Sequence, residues 1–240
     1  MLVVDHLFIL LLFVVQPIYG YFEARREDAR ERAGLPFNRS RFYLLTALVE
    51  WGFLAALVAA WLFYDRSVAD LGVLPAGGAG FWGGAVVVAL CTGLLLFSWR
   101  NARQASNAEK TRQIEALGKL VRYVPHTSGE LRGFVGVSIT AGIVEEIVYR
   151  GFVFWYLGQF MPIWAAVIVS SVAFGLAHSY QGASGALRCG LIGLAFGILY
   201  VLTGSIWLPI VGHILLDALQ GGALLEILRK REDAPQPQPA

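Results

Sequence analysis

The chain has 240 residues, 57% of them hydrophobic and 15% charged, with a mean hydropathy of +0.60. That is too apolar for a soluble domain of this size and reads as a multi-spanning membrane protein. The net charge of +2 is nearly neutral, and no basic patch with interleaved aromatics points to nucleic acid, so the placement of the charges matters more than their sum.

The first apolar run, residues 2–22, has no basic n-region and no small-residue cleavage site and carries Asp5, so it reads as a retained span. Further runs long enough to cross the hydrocarbon core fall at 42–64, 81–99, 133–157, 162–178, 187–203 and 206–228, which predicts seven helices. The second run carries a lone carboxylate, Glu50, for which three placements stay open: lining a pocket, bonding to a neighbouring helix, or snorkelling. Before the third run, Gly77, Gly78, Gly80, Gly83 and Gly84 resemble a phosphate loop in composition only, without the Lys-Ser/Thr element, and read as a flexible hairpin. Cys91 and Cys189 sit inside apolar runs, form no metal-ligand spacing, and read as small buried residues. In the third loop Ile114, Leu117, Leu120 and Val121 recur at helical spacing among Lys and Arg, which fits a surface-lying amphipathic helix or a solvated connector. Gly190, Gly193 and Gly197 give the sixth run a small-residue packing face. Asp5, His6 and His126 are assigned to interfaces. The chain therefore reads as one transmembrane helical domain, residues 1–228, followed by a disordered tail, 229–240, with a Pro/Gln repeat at 235–239.

Basic loops stay cytoplasmic. The first loop, the third loop, Arg188 and the tail hold 17 of the 19 Lys and Arg residues, leaving Arg66 outside and Arg150 in the membrane. The expectation is N-terminus out and C-terminus in, in a prokaryotic plasma membrane.

Ionisable side chains at membrane depth are costly and default to a functional reading. Glu145, Glu146 and Arg150 lie in the fourth run, Phe174 and His178 in the fifth, His213 and Asp217 in the seventh. The helical step of about 100° separates the adjacent glutamates around the axis, so they are expected to address different targets. Glu146 and Arg150 are i,i+4 partners in the better orientation. Glu145 is then the unpaired carboxylate, suited to a general base. A purely structural ion network stays open at this point. His213 and Asp217 share a face. His178 falls nearer the cytoplasmic side, so a shared site needs helix tilt or a longer fifth helix. The whole would form a water-filled pocket in the inner half of the bilayer.

The order Glu-Glu-x-x-x-Arg, Phe-x-x-x-His and His-x-x-x-Asp/Asn, each in its own hydrophobic segment, resembles the CPBP family of CAAX prenyl proteases and bacteriocin-processing enzymes, also called Abi, over residues 131–219. The context Tyr149-Arg-Gly-Phe152 is similar as well. The resemblance implies an all-α intramembrane glutamate protease without cofactor or metal, acting on a peptide or lipidated peptide beside membrane lipid. In it Glu145, assisted by His178, activates a water; Glu146 and Arg150 position the site; His213 donates to the oxyanion with residue 217 beside it; Phe174 and Tyr149 contact substrate. This chain has Asp217 where some members have Asn, and an ionised Asp cannot donate a hydrogen bond, so Asp217 is either protonated or orients His213 while another group stabilises the charge, with orientation the favoured reading. Two other readings stand beside it. One is a non-proteolytic membrane scaffold or immunity protein; the other is a zinc protease, although the His-Glu-x-x-His helix is missing.

Overall fold

The computed structural model describes residues 2–73 and 77–232, all helical or connecting, with no strand among the described residues. The Pro/Gln repeat lies outside them. Helix α1 runs over Val3–Arg32, α2 over Arg39–Phe63, α3 over Ala79–Gln104 and the short α4 over Asn107–Leu117. Helix α5 starts as Ser128–Glu146 and continues through a π-helical stretch, Ile147–Val153, into a final turn, Phe154–Leu157. Helices α6, Ile163–Ala177, α7, Ala183–Thr203, and α8, Trp207–Glu232, complete the order.

Each of the seven apolar runs is thus a helix, and five helices (α1, α2, α3, α7 and α8) are long and apolar enough to cross a membrane. Charges at Glu130, Arg132, Glu145, Glu146 and Arg150 keep α5 out of that set. Helix α6 has 15 residues, or about 22 Å, against a hydrocarbon core of about 30 Å.

Local chemistry sets the boundaries. Helix α1 outruns its apolar stretch by ten residues because 23–32 is rich in good helix formers and gains Arg26–Glu23 and Arg30–Glu27 pairs at 3.7 and 3.5 Å. Asn38 caps α2 by accepting from Arg41 N, and Ser106–Glu109 and Thr127–Glu130 form capping boxes at α4 and α5. Gly204, at φ +64°, closes α7 in the left-handed conformation that favours glycine. Helix α8 continues to Glu232, past the expected boundary at 228.

Helix α5 is the hub, packing against α2 on one flank and α8 on the other, while α6 packs on α7. The main apolar cluster, including Phe8, Leu57, Trp61, Leu71 and Phe152, joins α1, α2 and α5. Gly151 lies within the π-helical stretch, and a Cβ there would stand 2.7 Å from the Leu71 carbonyl oxygen, so only glycine lets the backbone at Leu71 approach this closely.

Asp5, expected at an interface, is instead buried, and it takes a two-pronged bond from Arg66 at 2.7 and 2.8 Å. Arg66 also stacks over Trp61 and Trp155, tying α1 to the far end of α2. His6 bonds Tyr156 Oη at 2.7 Å, and His126 Nε2 meets the Val121 carbonyl at 3.0 Å. Cys91, expected buried, is exposed on α3 because so little of that helix packs inside the bundle.

The basic loops meet at one end of the bundle. Arg122 pairs with Asp28 and Glu31, Lys119 with Asp28, Arg39 with Glu130 and Arg103 with Glu226. Burial opposes the Arg122 charge, yet its bonds to Glu31 and Asp28 hold the guanidinium above its ordinary pKa. Segment 107–122 is a helix followed by a 3-10 turn, with Ile114, Leu117, Leu120 and Val121 all partly buried against the bundle.

Candidate active site

The three motif-bearing helices converge. Glu145 Oε1 lies 3.8 Å from His178 Nε2, and Glu145 Oε2 lies 3.8 Å from His213 Nε2. The short α6 explains how His178 reaches this depth: the helix ends at Ala177, so the residue that terminates it stands inside the bundle. His178 Nδ1 bonds the Phe174 carbonyl at 2.8 Å. Since a carbonyl only accepts, that nitrogen carries the proton and Nε2 faces Glu145.

Glu146 is fully buried and makes two contacts through Oε1, with Arg150 Nη1 and with His213 Nδ1, both at 2.9 Å. The adjacent glutamates were expected to address different targets. They do diverge around α5, but the His213 ring from α8 spans the gap, offering Nδ1 to Glu146 and Nε2 to Glu145. Asp217 stands 3.6 Å from His213 Nε2, beyond hydrogen-bonding range. The bond that orients His213 therefore comes from Glu146, not from Asp217 as the sequence suggested. Phe196, which no motif marked, stacks on the His213 ring at 5.4 Å.

Arg150 also donates to the Gly193 carbonyl at 2.7 Å and lies over the Phe174 ring at 5.0 Å. Gly193 thus does more than pack: a Cβ there would meet Phe174 at 3.0 Å and the guanidinium at 3.4 Å. Phe174 sits at the centre, edge-on to Tyr149 at 5.0 Å and beside His178 at 4.7 Å.

A cavity of about 190 Å³ is lined by Glu50, Glu145, Phe174, His178, His213 and Asp217, and at the loop end by Tyr123, Gln181 and Arg188. Burial pushes the Tyr123 phenol above its ordinary pKa. Of the placements left open for Glu50, the structure selects the pocket. Tyr149, expected to contact substrate, does not line the cavity. It is buried in the core behind Phe174, because the π-helical stretch turns its side chain inward. Cys189 lines the same cavity and lies 3.7 Å from Gln181 Oε1. Among the described residues, no three His, Cys, Asp or Glu side chains are grouped so as to hold a metal ion.

Comparison with known proteins bears on the same segment. Residues 127–219 match the family model described as "Type II CAAX prenyl endopeptidase Rce1-like". The curated "Putative membrane peptidase YdiL" of Bacillus subtilis (strain 168) is 34% identical over 80 residues, which cover 33% of this chain and 32% of that protein. The match therefore spans about a third of the relative's length. No solved structure matches the chain. The segment that carries all three motifs is thus similar to the CPBP family of CAAX-type membrane proteases.

Proposed function

We propose that this protein is an intramembrane glutamate endopeptidase that hydrolyses a peptide bond of a membrane-associated substrate. The observation that carries this reading is the placing of Glu145. Its carboxylate lines a cavity, has no direct hydrogen bond on Oε2, and faces two imidazole nitrogens at 3.8 Å. Contacts of that length between polar groups suit a bridging water.

The chemistry follows from the donor and acceptor roles. Glu145 takes one proton of the water while His178 Nε2, an acceptor because Nδ1 carries the proton, accepts a hydrogen bond from its other O–H and holds it in line. The resulting hydroxide adds to the peptide carbonyl carbon. His213 is gripped at Nδ1 by Glu146 and faces carboxylates at Nε2, so it is supported as a donor at both nitrogens and can hold the developing oxyanion. When the C–N bond breaks, Glu145 returns the proton to the leaving nitrogen. Arg150 acts through Glu146, and through the Gly193 carbonyl it ties α5 to α7.

The matched family's description, a CAAX prenyl endopeptidase, supports a prenylated CAAX-type peptide as substrate, beside a leader peptide or another membrane peptide. The gathering of the basic loops at one end supports the reading of seven crossings with the N-terminus out and the C-terminus in, in which the cavity's loop end faces the cytoplasm. The test uses purified protein in detergent with quenched fluorescent peptides: a farnesylated cysteine peptide, the same peptide without lipid, and a leader peptide. Wild type should cut at least one of them and Glu145→Ala none. Equal signals from the two proteins on every peptide would overturn the reading.

A further inference from the structure

One ionisable group in the cavity has no part in the mechanism above. Glu50 lies on α2, outside the segment that matches the family model, and lines the cavity with Glu145, His213 and Asp217. It is within electrostatic range of all three. Among the described residues neither of its carboxyl oxygens makes a hydrogen bond, and Oε2 is shielded from solvent.

The position is held firmly. The next residue, Trp51, donates its indole N–H to Thr140 Oγ1 at 3.1 Å, which fixes the register of α2 against α5. Helices α2 and α8 flank α5 on two sides, so Glu50 and His213 reach the surroundings of Glu145 from different directions. A buried carboxyl oxygen without a partner is costly unless something entering the cavity satisfies it.

In an extended peptide, neighbouring backbone C=O and N–H groups point to opposite sides. With the scissile carbonyl turned toward His213, a flanking N–H turns toward α2. We infer that Glu50 is a substrate-binding residue whose carboxyl oxygen accepts a hydrogen bond from a backbone N–H of the peptide lying across Glu145. This inference rests on the hydrolase reading.

The experiment measures hydrolysis of the farnesylated quenched peptide by wild type, Glu50→Gln, Glu50→Leu and Glu50→Met, with a thermal melt of each. Glu50→Leu and Glu50→Met lack an oxygen and should raise KM about tenfold with kcat within about twofold. Glu50→Gln keeps the acceptor and should stay within about threefold of wild type in KM. A second readout, fluorescence anisotropy of the same peptide in the Glu145→Ala background, should show about tenfold weaker binding when Glu50→Leu is added. An unchanged KM in both apolar variants, or a Gln variant as impaired as Leu, would overturn the role given to Glu50. Failure of the hydrolase reading looks different: wild type itself would leave the peptide uncut, and the inference would fall with it.

Discussion

Helices α3 and α5 show two ways a helix lives in this molecule. Helix α3 has the highest hydropathy of the candidate spans, with only 6% of its most apolar window buried inside the bundle. Helix α5 is crossed by five charges and contributes Val144, Glu146, Val148, Tyr149, Arg150, Phe152 and Val153 to the buried interior. Hydropathy therefore reports contact with lipid rather than centrality in the fold. A helix whose charges set it apart from the candidate spans packs against both α2 and α8, because buried polar groups pair with each other rather than with hydrocarbon.

The sharpest use of this contrast is a substitution that changes chemistry on α5 without changing shape. Glu145→Gln should lower peptide hydrolysis by a factor of about 10³ or more, read as kcat, because the amide cannot take a proton from water. Its melting temperature in detergent should stay near that of wild type, since Glu145 holds no direct hydrogen bond on Oε2. A variant that keeps substantial hydrolysis would return the Glu145 region to the status of a structural ion network.

Next in size is a stability effect on the same helix. Arg150 is 2% exposed and its guanidinium serves both Glu146 and the Gly193 carbonyl. Arg150→Met leaves Glu146 as a buried carboxylate held only by His213, and should cost about 3–5 kcal/mol in detergent unfolding. Adding Glu146→Gln should recover part of that loss. Recovery should be incomplete, because Glu146 also orients His213. A melting temperature unaffected by Arg150→Met would break the claim that α5 is the polar hub.

The motif spacing made the convergence of Glu145, His178 and His213 legible, since ionisable residues in apolar runs have few other uses. Other features depended on contacts that no one-dimensional pattern carries. Nothing in the order of residues shows that Glu146 reaches across to His213, because the deciding fact is the direction of one ring on α8. Phe196 looks like any aromatic in an apolar helix until it is found stacked on that ring. Tyr149 adjoins the motif in sequence, but the π-helical stretch from Ile147 to Val153 shifts the faces of α5 and sends it into the core. Asp5 shared the ambiguity of every charge at a span's end, and only its distance to Arg66 resolves it. Glu50 was visible as an oddity, and the packing of α2 on α5 decides its direction.

A smaller effect is expected at Asp217, whose side chain is 36% exposed and 3.6 Å from the His213 ring. Since Glu146 supplies the orienting bond, Asp217→Asn should change kcat by less than about threefold, with unfolding stability held to within about 1 kcal/mol. A loss of a hundredfold or more would show that the carboxylate itself is required.

The smallest effect belongs to α3. Leu90 is 64% exposed from the bundle and faces the region that lipid would fill. Trimming a side chain there opens no protein cavity, because detergent or lipid tails occupy the space. Leu90→Ala should therefore shift stability by no more than about 0.5 kcal/mol. The same truncation at Leu57, 2% exposed in the cluster between α2 and α5, should cost about 2–5 kcal/mol. The two substitutions remove the same atoms from similarly apolar helices, so hydropathy predicts equal outcomes while burial predicts a large difference. Equal melting temperatures for the two variants would mean that packing against protein and packing against hydrocarbon are energetically alike here, and that the buried, charged helix owes its central place to its ion pairs alone.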